Sequence, residues 1–156
     1  MNIRLCKPED LQIWTTLNRE FMEFIARESE FWSDVEQTSD ATFTKVFHEA
    51  LGAPKLATLF LIEQDGEPIG YVTLQKTYSI WANGNIIIID DLYIREEFRG
   101  QGIRTKAIEF IRDYTKKEDG KRLELKSDIT NVDAKAFYKA IGFQHQEMNV
   151  YMMSME

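Results

Sequence analysis

Residues 86–105 read Ile86-Ile87-Ile88-Ile89-Asp90-Asp91-Leu92-Tyr93-Ile94-Arg95-Glu96-Glu97-Phe98-Arg99-Gly100-Gln101-Gly102-Ile103-Arg104-Thr105. Consecutive β-branched isoleucines favour a strand, and the lack of polar alternation predicts one buried on both faces. From Ile103 the period changes. Ile103, Ala107, Phe110, Ile111 and Tyr114 recur at helical spacing. A glycine-bearing loop, Arg99 to Thr105, therefore joins a buried strand to the start of a helix. Glycines there let backbone N–H groups approach an anion closely, and the helix N-terminus adds a favourable field. Arg95, Arg99, Arg104 and Lys106 bring positive charge to a chain whose formal net charge is -7. The same glycines also suit a plain turn, so the loop alone leaves both readings open. Its residues argue against two nucleotide sites. It lacks the Gly-Lys-Ser/Thr of a Walker loop, and Thr105 stands where a dinucleotide fingerprint has its third glycine.

Outward from this stretch, upstream, Ala57–Glu63 and Ile69–Thr77 read as strands joined by the turn signal Asp65-Gly66, and Asn85–Ile94 follows a turn at Ala82-Asn83-Gly84. Ile3 and Leu5 mark a first short strand. Pro8, Glu9 and Asp10 suit a helix start, and Leu11, Trp14, Leu17, Phe21, Phe24 and Ile25 continue it at helical spacing. A second helix is expected from Ala41 to Leu51. Downstream, Leu123 and Leu125 mark a short strand, Asn131–Ile141 a helix stopped by Gly142, and Phe143–Met152 a last strand. This order predicts an α+β (mixed α/β) architecture, and the 156 residues fit a single domain over 1–156.

The acidic balance argues against nucleic acid as a main partner; it suits a cationic small molecule, although taken alone it is better read as simple solubility. The lone cysteine, Cys6, rules out an intramolecular disulfide, which fits a reducing compartment. No apolar run is long enough for a signal peptide or a membrane span, and the expected location is cytoplasmic. His48 and His145 have no ligand-spaced partners, so no metal site is expected.

The order Asp90-Asp91-Leu92-Tyr93-Ile94, then Arg99-Gly100-Gln101-Gly102-Ile103, resembles the acetyl-CoA motif of the GNAT N-acetyltransferase superfamily, Arg/Gln-x-x-Gly-x-Gly/Ala. The run Asn131-x-x-Ala134-x-x-Phe137-Tyr138-x-x-x-Gly142-Phe143 resembles its second motif on the CoA side. The resemblance implies a splayed mixed sheet with helices on both faces, acetyl-CoA as co-substrate, a homodimer, and direct transfer of acetyl to an amine in a ternary complex. It implies pyrophosphate contact at Arg99, Gly100, Gln101, Gly102, Ile103, Arg104 and Thr105. Pantetheine would pair with the backbone of Leu92, Tyr93 and Ile94. Asn131 is implied as a further cofactor contact, although a helix N-cap is an equal reading. One position departs from the motif: Arg104 replaces the final Gly/Ala. It either pairs with a phosphate or crowds the loop.

Tyr138 is implied as the general acid for the leaving thiolate. Spacing alone would equally make it a tyrosine closing the core beside Phe137. Asp90 is implied as the base, with Asp91 as backup. As strand neighbours, the two are expected on opposite faces. Tyr78-Ser79-Ile80-Trp81 ahead of the acidic pair resembles the spermidine/spermine-type branch. Tyr78 and Trp81 would then line an acceptor site with Asp90 and Asp91 by cation–π contact, or simply pack on the strand. Phe21, Phe24, Phe31 and Trp32 would cover the same site. The expected acceptor is a small, cationic amine. A protein or peptide acceptor is the alternative, and a non-catalytic CoA-binding regulatory domain is the rival from another class.

Overall fold

The computed structural model describes residues 1–30, 32 and 38–155. They form two compact units, Met1–Leu125 and Lys126–Glu156. Phe31, expected to help cover the acceptor, lies outside the described residues.

The first unit holds one mixed sheet. Its strands are β1 (Asn2–Leu5), β2 (Ala57–Gln64), β3 (Glu67–Ser79), β4 (Gly84–Ile94) and β5 (Arg122–Leu125). They lie in chain order, antiparallel except for the parallel pair β4–β5. The β2–β3 turn has Asp65 at φ 50 and Gly66 at φ 81, the left-handed pair that a tight hairpin requires.

Helices cover both faces of this sheet. Helices α1 (Leu11–Glu28) and α2 (Asp40–Leu51) bury Trp14, Leu17, Phe43 and Phe47 against Leu59, Leu61, Tyr71 and Tyr93. Helix α3 (Ile103–Lys117) takes the other face, where Phe60 meets Phe110 and Tyr114 edge-on at 5.2 Å each. The period-2 pleat explains this division: Leu59 and Leu61 point one way and Phe60 the other. Among the described residues, no helix is long and apolar enough to cross a membrane.

The sheet opens at one place that matters for function. Strand β5 follows β4 only from Ile86↔Arg122 to Ile89↔Leu125. Strand β4 continues to Ile94 along β3 alone, so from Asp90 onward one of its edges carries no ladder partner among the described residues. This is the splay that the mixed-sheet expectation required.

In the second unit, α4 (Val132–Ala140) is capped by Asn131, whose side-chain oxygen accepts from the Ala134 N–H at 3.0 Å. The last strand expected over Phe143–Met152 does not form: residues 143–155 carry no strand. A segment makes a strand only where a neighbouring one supplies the ladder, and among the described residues no ladder reaches this one.

Candidate active site

The loop after β4 is open at its two glycines. Gly100 and Gly102 adopt φ +74 and +76, left-handed values that a side chain would strain, and no atom lies within 4 Å of where a Cβ would stand on either. Gly102 is the N-cap of α3 and offers no side-chain cap. The first bond of the helix runs from the Lys106 N–H to the Gly102 carbonyl at 3.1 Å. The N–H groups of Ile103 and Thr105, which precede it on the first turn, are therefore left without an intrahelical acceptor. Open space beside two glycines and outward-facing donors fit a pyrophosphate.

The side chains of this loop have divided roles. Arg99 turns back: its Nε donates to the Ile94 carbonyl at 2.9 Å, and its guanidinium lies 4.4 Å from the Phe24 ring centroid and 5.8 Å from that of Tyr93. Gln101 donates to the Glu97 carbonyl at 3.3 Å. Both hold the loop in shape, and the Ile103 side chain is buried in the core. Arg104 and Lys106 are exposed on the first turn of α3. Of the loop side chains, those of Arg99, Gln101 and Ile103 are thus turned to the protein itself.

The acidic pair stands on a β-bulge. Thr73 pairs with Asp91 and Leu74 with Ile89, which leaves Asp90 unpaired. The extra residue resets the alternation of β4. Upstream, Ile87 approaches Gly120 at the end of α3, and Lys76, directly opposite Ile87, donates to Glu118 at 3.1 Å. Ile87 and Ile89 thus face α3. Downstream, Tyr93 packs in the α1–α2 core, and Asp91 shares its face. The plain alternation expected for Asp90 and Asp91 is replaced by a bulge that leaves Asp90 exposed and Asp91 half-buried. Burial first, and then the charge of Asp90, push the Asp91 carboxyl up to about 6, while hydrogen bonding from Thr73 works in the opposite direction.

The open edge of β4 beyond the bulge can be read from its ladder. The Arg95 N–H donates to the Ile69 carbonyl at 2.9 Å, so Arg95, Tyr93 and Asp91 turn their backbone groups toward β3. Gly70 supports this, because a Cβ there would stand 2.2 Å from the Tyr93 carbonyl oxygen. Leu92 and Ile94 accordingly turn their N–H and C=O to the open edge, where Arg99 already holds the Ile94 carbonyl. Of the three residues expected to meet pantetheine through the backbone, Tyr93 is corrected: its groups belong to the β3 ladder.

Helix α1 is tied to this region. Arg95 donates to both oxygens of Glu20 at 2.9 Å, and the Tyr93 hydroxyl to Glu20 at 3.4 Å. A hollow of about 340 Å³ opens beside them, lined by Glu20, Glu23, Arg27, Tyr93, Arg95, Glu96 and Glu97. The sequence did not single out Glu20 or Thr73. Only the tertiary pairing of α1 with β4, and the register of the bulge, give them a place.

The aromatic pair is placed elsewhere. Tyr78 and Trp81 lie at the β3–β4 hairpin tip, 68% and 94% exposed. Tyr78 pairs with Asn85, and the strand from Asn85 to Asp91 spans roughly 20 Å at about 3.3 Å per residue. Tyr78 is also two residues from Lys76 and shares its α3 face, whereas Asp91 faces α1. Tyr78 and Trp81 therefore do not line one small acceptor site with the acidic pair. In the second unit, the half-buried Tyr138 packs edge-on against Phe137 at 5.1 Å and Phe143 at 5.5 Å. The oxygen of Asn131 is committed to the α4 cap. Among the described residues there is no cluster of three or more His, Cys, Asp or Glu side chains suited to a metal.

Comparison with known proteins agrees with this geometry. Residues 14–143 match the acetyltransferase (GNAT) family. A thialysine N-epsilon-acetyltransferase from Bos taurus is 33% identical over 89 residues, which are 54% of this chain and 52% of the relative. A Bacillus subtilis (strain 168) protein, provisionally named as an alanine N-acetyltransferase of ribosomal protein bS18, is 31% identical over 107 residues, covering 69% of this chain and 66% of its own. The chain thus spans about half to two thirds of these relatives. A crystal structure from Clostridium difficile 630, described as a possible acetyltransferase, shares the fold with a TM-score of 0.80 at 21% identity, covering 99% of this chain and 97% of that one.

Proposed function

The chain belongs to the acetyltransferase (GNAT) family, whose co-substrate is acetyl-CoA, and on that premise we propose that this N-acetyltransferase acylates a small cationic amine by direct attack in a ternary complex. The observation that carries the reading is Asp91: a half-buried carboxylate at the bulge, pushed up to about 6, at the start of the open edge of β4.

In this mechanism the loop N–H groups of residues 103–105 and the Arg104 side chain hold the pyrophosphate. The Leu92 and Ile94 edge takes the pantetheine arm, and the free N–H on that edge polarises the thioester carbonyl. The acceptor binds as an ammonium ion against Asp90 and Asp91. Asp91 takes its proton, and the neutral nitrogen attacks the carbonyl carbon. The C–N bond forms as the C–S bond breaks, the departing thiolate takes a proton from a general acid, the role that the resemblance gives the Tyr138 phenol, and the amide nitrogen releases its second proton to solvent, from which the phenol is reprotonated. A carboxyl titrating near 6 is ionised at neutral pH yet more basic than an ordinary aspartate, which suits this task better than the exposed Asp90. Cys6 is no rival nucleophile: it is buried, and burial pushes its thiol up to about 12.

Cationic acceptors are favoured by three features: the acidic pair, the net charge of -7, and a hollow on the Asp91 face that counts Glu20, Glu23, Glu96 and Glu97 against Arg27 and Arg95. The relative named for ribosomal protein bS18 favours a second reading, a peptide N-terminus. An acetyl-transfer screen of diamines, polyamines, amino acids and peptides decides between them. Turnover of diamines or polyamines, with an acceptor KM that rises with ionic strength, is expected. Turnover of peptides alone would establish the second reading.

A further inference from the structure

Resting on the base role given to Asp91, we propose that Thr73 is a positioning residue for the transfer reaction: its hydroxyl donates across the β3–β4 ladder to one oxygen of the Asp91 carboxylate and leaves the other for the acceptor amine.

The bulge is what creates this pair. With Asp90 taken out of the ladder, Thr73 and Asp91 stand directly opposite each other with their side chains on the α1–α2 face. In a regular ladder the carboxylate one place along would face α3, where Lys76 and Glu118 lie. Thr73 is half-buried between the buried Tyr71 and the exposed Gln75 on its own strand face. Its β-branched side chain has little χ1 freedom, so the hydroxyl is presented without a large ordering cost. Directly opposite Asp91 and on the same face, its hydroxyl favours the ionised form of that carboxyl.

The other groups around Asp91 do not perform this task. Asp90, beside it on β4, repels its charge. Tyr71 from β3 and Tyr93 from β4 present phenols on the same face, and the Tyr93 hydroxyl is given to Glu20. From α1, Glu20 is paired with Arg95, and Arg99 is committed to Ile94 and the Phe24 ring. Thr73 is the neighbour whose hydrogen bond favours the ionised carboxylate. The hydroxyl thus orients the Asp91 carboxylate and adds to the fraction ionised at neutral pH.

The test compares wild type, Thr73→Val, Thr73→Ser and Asp91→Asn. Carbon-13 NMR of aspartate-labelled protein follows the Asp91 carboxyl, identified by its loss in Asp91→Asn, and acetyl transfer to the best acceptor of the screen is measured in parallel. Thr73→Val keeps the shape and removes the donor. Its Asp91 titration is expected to move up by about 0.5–1 unit, with kcat/KM at neutral pH reduced roughly 3- to 30-fold. Thr73→Ser should return both toward wild type. An unmoved Asp91 titration in Thr73→Val would overturn the proposal, including the case where stability falls, since that is what a purely packing threonine would give. Full turnover by Asp91→Asn would instead overturn the base role on which the proposal rests. A rate loss in Asp91→Asn with no titration shift in Thr73→Val would remove the role of Thr73 alone.

Discussion

Replacing Asp91 by asparagine should make the protein more stable and the enzyme worse, and the two effects share one cause. The carboxyl of Asp91 moves from an ordinary 3.8 to about 6 because burial and Asp90 penalise its charged form. A carboxyl raised in the folded state weakens folding wherever it must ionise. Below pH about 4 both folded and unfolded chains hold the proton and there is no penalty. The penalty grows as pH rises from there through about 6 and is constant above. A rise of about two units corresponds to about 3 kcal/mol at most, and partial exposure of the side chain reduces it to about 1–3 kcal/mol. The substituted amide would keep the size and the ability to accept from Thr73, and would carry no charge. Urea denaturation at pH about 7.5 should therefore show Asp91→Asn stabilised by about 1–3 kcal/mol, and a repeat at pH about 4 should show the gain largely gone. Acetyl transfer at the higher pH should fall about 10²–10⁴-fold, the usual contribution of a general base. A variant that is less stable near neutral pH, or a stability gain that is the same at both pH values, would refute the account of the buried charge. Unchanged turnover would refute the catalytic one.

Other substitutions probe the remaining parts. Gly102→Val forces a β-branched residue into φ +76 and fills the open cradle, so calorimetry should find acetyl-CoA binding weakened about tenfold or more in a folded protein. Arg104→Gly restores the residue of the family motif but removes an exposed cation. Affinity for acetyl-CoA is expected to drop about two- to fivefold with a shallower salt dependence, and distinctly tighter binding would mean that Arg104 crowds the loop. Tyr138→Phe removes only a hydroxyl and should cut kcat about 10²–10⁴-fold with CoA affinity unchanged; near wild-type turnover, with chemistry rate-limiting, would exclude the general acid. Trp81→Ser, at an exposed hairpin tip, should leave the acceptor KM unchanged, and a large increase would return the tip to the acceptor site.

The element order was legible because each signal is local. Four isoleucines in a row, the change to helical spacing at Ile103, and Asp65-Gly66 between two apolar runs all act through near-neighbour sterics. The observed β4, α3 and the β2–β3 hairpin lie within a few residues of those expectations. The glycine loop was legible for the same reason, since left-handed φ at Gly100 and Gly102 is a property of the residue type. Family membership followed from two such motifs in the right order. Long-range pairing decided what the sequence left open. The alternation of Asp90 and Asp91 was reset because β3 contributes one residue fewer than β4 at the bulge, and that count exists only when the two strands are in register. Tyr78 and Trp81 precede the acidic pair closely in sequence, but an extended strand carries them away at about 3.3 Å per residue and the pleat turns Tyr78 to the opposite face. Phe143–Met152 is expected as a strand and forms none, because backbone hydrogen bonds require a partner segment that local sequence cannot provide. Local chemistry thus determined which elements and which glycine loop this chain builds. Which carboxylate is buried, how far its proton affinity rises, and which threonine faces it were set by the tertiary pairing of β3 with β4, because burial and register are properties of two segments together.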